Sequence, residues 1–113
     1  KNVYKDKKII SVFEPHRYSR VNSLKKEFAN SFIKSDLVLL CPIYSAGEKK
    51  NLKYNAIKFA QLISKFSKTQ VIIIKNLNEI EKYFKKNLIS NEIIIGMGAG
   101  ALSKYMGELR NIL

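Results

Sequence analysis

The sequence predicts a single α/β domain, three layers thick, with a mainly parallel sheet of about four strands between helices. Two observations carry this. Four short runs of aliphatic and β-branched residues recur along the 113-residue chain, each followed by apolar residues at helical spacing. The runs are continuously apolar rather than alternating, as expected of strands covered on both faces. Right-handed crossovers between such strands make the arrangement Rossmann-like.

The elements follow in order. Residues 9–13 (IISVF) read as the first strand. Leu24, Phe28, Phe32 and Ile33 then recur as one helical stripe, with Asn22 or Ser23 placed to cap it. Residues 37–41 (LVLLC) form a second strand stopped by Pro42, and Ala56, Phe59, Ala60, Ile63 and Phe66 a second helix. Residues 71–74 (VIII) form the third strand, followed by a helix on Leu77, Ile80, Phe84 and Leu88. A fourth strand lies within residues 92–96, and Leu102, Tyr105, Met106 and Leu109 give a fourth helix.

Composition bounds the function. At 46% hydrophobic residues the chain has an ordinary globular core, and no apolar run approaches the roughly 20 residues of a membrane helix. The charged start, KNVYKDKKII, has no signal-peptide pattern, so no membrane partner is expected. Cys41 is the one cysteine, which excludes an intrachain disulfide and a thiolate zinc site and fits a reduced, cytoplasmic setting. The net charge of +12 invites a nucleic-acid reading. The lysines are spread along the chain in pairs such as Lys25-Lys26 and Lys49-Lys50, without an RNA-binding or helix-turn-helix signature, so no nucleic-acid partner is expected.

In a parallel sheet, ligands bind beyond the carboxyl ends of the strands. Three loops should share that edge: EPHRYSR (residues 14–20), PIYSAGE (42–48) and GMGAG (96–100). The first holds the only histidine and two of the three arginines of a lysine-rich chain. A guanidinium is a rigid fork that grips carboxylate or phosphate, and Arg17 and Arg20, three apart near a helix start, should face one side. With His16 they suggest an anion site; the bland alternative is two surface arginines and a packed histidine. Glu48 suits an amine or an arginine, or is a solvated glutamate with Gly47 making the turn. Gly98 and Gly100 let backbone approach a phosphate at a helix start, or simply make a tight strand-to-helix turn. The first βα turn has no glycine, which argues against a nicotinamide-dinucleotide enzyme.

FEPHRYSR, PIYSAGE and GMGAG, in this order and spacing, resemble the C-terminal domain of the Mur ligases. The likeness covers essentially all of residues 1–113. HRYSR favours the alanine-adding branch over the murein-peptide recycling branch, which shares the fold; a stand-alone Rossmann-like nucleotide-binding module is the other alternative. The resemblance implies an ATP-dependent amide ligase of peptidoglycan precursor synthesis that joins L-alanine to UDP-N-acetylmuramate. It implies that Arg17 and Arg20 hold the alanine carboxylate, that His16 lines the same pocket, and that Tyr44, Glu48, Gly98 and Gly100 edge it. The family's phosphate loop (GxxxxGK[ST]) and DDYxHHP segment are absent from this sequence. ATP and Mg are therefore expected to be bound mainly by N-terminal and central domains outside this chain, which alone should be inactive. Glu14 stands where the family commonly has glutamine, a change expected to matter little.

Overall fold

The structure is a computed structural model that describes residues 8–45, 47–49, 54–87 and 92–98. Four strands, β1 (Lys8–Phe13), β2 (Leu37–Leu40), β3 (Gln70–Ile73) and β4 (Glu92–Met97), form one sheet in the order β3-β2-β1-β4. Every pairing is parallel. Between β1 and β2 come α1 (Tyr18–Ser23) and α2 (Lys25–Asn30); α3 (Ala56–Ser67) precedes β3, and α4 (Asn78–Asn87) precedes β4.

Strand alternation splits the core in two. Ile10 and Val12 of β1 point with Leu37 and Leu39 of β2 toward Ile80 and Phe84 of α4. Phe13, Val38 and Leu40 point the other way, toward Val21 of α1, Ala29 of α2 and Phe59, Ala60 and Ile63 of α3. Three helices thus cover one face and α4 the other. The chain order explains this: β1 to β2 to β3 steps in one direction, and the crossover to β4 returns past β1. That reversal leaves a switch point between the carboxyl ends of β1 and β4, where open α/β sheets take ligands.

The amino-terminal edge is tied by polar groups. Asp36 accepts from the Ile9 amide at 2.8 Å and returns its own amide to the Ile9 carbonyl at 2.8 Å. Buried Ser11 and Ser35 share a hydroxyl bond of 2.6 Å, and Thr69 donates to the Ser35 carbonyl at 2.8 Å. Ser67 donates to Ala29 and accepts from the Phe32 amide, joining α3 to the end of α2. Every buried polar atom so satisfied avoids a desolvation cost. The carboxyl edge carries the arginine loop instead.

The sequence reading needs four corrections. The first helix is two short ones, broken at Leu24, so Asn22 and Ser23 lie inside α1 rather than capping a longer helix. Helix α2 ends at Asn30, and in the turn beyond it Phe32 points inward at 1% exposure while Ile33 stays outside at 57%. Burial on both faces holds for β1 and β2, but β3 and β4 are the sheet's edges and stay partly exposed. Strand β4 continues to Met97, and Ile74, expected inside the third strand, is the buried residue just after it. Helix α3 starts as its pattern requires, with Asn55 accepting from the Lys58 amide at 3.0 Å as N-cap. Leu88, Leu102, Tyr105, Met106 and Leu109 lie outside the described residues.

Candidate functional site

The chain leaves β1 through a braced turn. The Glu14 amide donates to the Met97 carbonyl at 2.8 Å, extending the β1–β4 ladder by one step. Two residues on, His16 and Tyr44 form an isolated parallel bridge: the Tyr44 amide donates to the Pro15 carbonyl and the Arg17 amide to the Tyr44 carbonyl, each at 2.8 Å. The His16 and Tyr44 rings lie 5.3 Å apart at 32°. These contacts stitch the loop after β1 to the loop after β2, so both expected loops share one edge.

Arg17 emerges from this brace with φ 66 and ψ 134, immediately ahead of α1. A residue with a Cβ held there costs roughly 1–3 kcal/mol, and such strain survives only where neighbours over-determine it. Here the bridge fixes one side and the Val21 amide, donating to the Arg17 carbonyl at 3.2 Å, fixes the other. Val21, fully buried against the sheet, anchors the helix itself.

Two clefts open at this edge. The first, about 430 Å³, is lined by His16, Arg17, Ser19, Arg20 and Ser23. Among the described residues no carboxylate lines it, and neither arginine sits in a salt bridge. The second, about 400 Å³, lies at the switch point; its wall includes Phe13, Glu14, Phe28, Phe32 and Met97. His16 and Arg20 line both, so they form the ridge between them. Arg17 and Arg20 both line the first space, although Arg17 stands ahead of α1 on a non-helical backbone and not one helical turn from Arg20.

Glu48 has a nearer partner than an arginine. Its carboxylate accepts from the Ser19 hydroxyl at 2.6 Å and from the Ser19 amide at 3.3 Å. The Ser19 hydroxyl bond is the main reason its pKa falls below the ordinary carboxylate value; the Arg17 charge contributes least. Gly47 makes the preceding turn with φ 90, a conformation that suits glycine. Tyr44 is 41% exposed beside His16. Gly98 lines the second cleft, while Gly100 lies outside the described residues.

Two features were not anticipated. Ser19 is the link between the first and second loops, which a serine at a helix start hardly announces. Glu14 is only 5% exposed and stands in the wall of the second cleft. A charged residue ahead of a proline at a strand's end was the one available signal. Nearby, burial pushes the Cys41 thiol up to about 12, with the Glu14 charge adding to it. Among the described residues no three metal-ligating side chains converge.

Fold and edge define the class: a parallel α/β domain with guanidinium forks at its carboxyl edge. Sequence comparison makes the class particular. No family model matches the chain. It is 42% identical over 110 residues, 97% of its length, to a protein of Pelagibacter ubique named UDP-N-acetylmuramate–L-alanine ligase. Proteins of the same name from a Sulfurihydrogenibium species and from Trichodesmium erythraeum are each 34% identical, over 100% and 96% of the chain. The chain belongs to the Mur ligase family. It spans between a fifth and a quarter of the length of these curated relatives (24%, 25% and 20%).

Proposed function

We propose that this chain is the C-terminal, amino-acid-binding domain of a cytoplasmic ATP-dependent ligase that joins L-alanine to UDP-N-acetylmuramate in peptidoglycan precursor synthesis. The observation that carries the proposal is the shared cleft of Arg17, Arg20 and His16 at the sheet's carboxyl edge. Its lining offers guanidinium forks, an imidazole and two hydroxyls, a donor set for one carboxylate. The relatives' name supplies the amino acid.

In this reading the two arginines hold the alanine carboxylate, each charge-assisted bond contributing roughly 1.5–3 kcal/mol. Their work is positional: the amine is presented to an acyl phosphate formed on the sugar's carboxylate. Its nitrogen adds to the acyl carbon, and the tetrahedral intermediate expels phosphate. Tyr44 stacks on His16 and fixes the imidazole; Glu48 ties the second loop to α1 through Ser19. ATP and UDP-N-acetylmuramate are left chiefly to N-terminal and central domains of the same ligase, as is magnesium, and no step here runs through the metal.

Kinetics of the ligase carrying this chain test the proposal. Arg20→Lys keeps the charge and loses the fork. It should raise the KM for L-alanine about tenfold or more while leaving that for ATP within about twofold. An unchanged alanine KM rejects the clamp.

A further inference from the structure

We infer that Glu14 holds the ammonium group of the incoming amino acid, making the switch-point cleft the amine and side-chain subsite beside the carboxylate clamp. The inference rests on the amino-acid-binding reading above.

A small α-amino acid carries carboxylate, ammonium and side chain on one carbon. Its recognition needs a cation, an anion and an apolar wall that converge within a few ångströms. The two clefts meet at His16 and Arg20, and only together do they supply all three. Arg20 on the ridge serves the carboxylate. Among the described residues lining either cleft, Glu14 alone carries a carboxylate. Phe13, Phe28, Phe32 and Met97 give the second cleft an apolar wall suited to a short aliphatic side chain.

Glu14 is also well placed to be rigid. Its amide is tied to the Met97 carbonyl at 2.8 Å, and Pro15 restricts the backbone ahead of it to extended conformations. Glu14 has a further interaction within the fold as well. A carboxylate has about four acceptor positions, so an ammonium can join as a further partner. A buried carboxylate is held where a ligand's positive charge meets little competing water. The role is orientation; no proton transfer is assigned to Glu14. The glutamine common at this position in the resembled motif keeps one acceptor oxygen, so it retains part of the hold.

The test compares L-alanine with propionate, which has the carboxylate and the methyl group but no amine. In the ligase carrying this chain, Glu14→Met should raise the KM for L-alanine about tenfold or more. The inhibition constant of propionate should stay within about twofold, because nothing that propionate uses has been removed. Glu14→Gln should give an intermediate alanine KM with propionate again unmoved, and it tests the idea even if the methionine variant folds poorly. Equal weakening of alanine and propionate, or no change in either, overturns the role of Glu14. Arg20→Met separates the two readings: it should weaken propionate as well as alanine. If propionate is indifferent to Arg20, the clamp fails, whatever Glu14 does.

Discussion

The Arg17 amide donates to the Tyr44 carbonyl across 2.8 Å while Arg17 sits at φ 66. One bond thus joins the two loops at the carboxyl edge and holds a cation in a conformation that disfavours it. Arg17→Gly should separate fold from function. Relief of the strain, about 1–3 kcal/mol, offsets the extra chain entropy of glycine, about 0.5–1 kcal/mol. Chemical denaturation should show stability unchanged or raised, by up to about 2 kcal/mol, while the alanine KM rises. A clearly less stable variant would mean that Arg17 is a structural residue.

Glu48 makes the brace sensitive to acid. Its folded pKa lies below the ordinary 4.5, chiefly through the Ser19 hydroxyl. The stabilisation is therefore complete above 4.5 and is lost as pH falls through the depressed value. Protection of the Ser19 amide from hydrogen exchange, taken relative to its intrinsic rate at each pH, should fall on acidification in the native protein. Glu48→Gln should show the lower protection already at neutral pH, with little further change in protection as pH falls. Equal exchange in both proteins at neutral pH would remove Glu48 from the brace.

Cys41 should be inert while the protein is folded. It is buried, with its thiol pushed up to about 12. Reaction needs both exposure and thiolate. Labelling with a thiol-specific reagent at pH 8 should therefore track unfolding across a denaturant series. Rapid stoichiometric labelling in native buffer would contradict the buried placement.

Phe32 and Ile33 are neighbours with opposite fates, at 1% and 57% exposure. Phe32→Ala should cost about 3–5 kcal/mol. Ile33→Ala should stay within about 0.5 kcal/mol. Denaturation midpoints of the two variants check the end of α2 at Asn30, since one helical stripe running through both residues would make both substitutions costly.

That pair also shows what was legible in the sequence. Periodicity located the four strands, α3 and α4, because β1 and β2 are apolar on both faces and α3 and α4 carry clear stripes, but it merged α1 and α2 into one later helix. It missed the break at Leu24, since leucine is a good helix former and nothing local ends the helix there. Phe28, Phe32 and Ile33 all fit a helical stripe, and only the sheet below decides which is buried. The arginine spacing in EPHRYSR was readable because guanidinium is rare in this chain. The bridge from His16 to Tyr44 and the bond from Ser19 to Glu48 join residues 28 and 29 positions apart, which no local pattern encodes. That Glu14 is buried in the wall of a cleft depends on how β1 and β4 end together, which sequence alone does not show.

The most direct test of the account is a double-mutant cycle on the alanine KM, using Arg17→Lys, Arg20→Lys and both together in the ligase carrying this chain. Two forks on one carboxylate share a partner, so their effects should be coupled: each single change raises the KM, and the double change departs from the product of the two. Full-strength alanine binding in all three variants would contradict the claim that these arginines clamp the incoming amino acid.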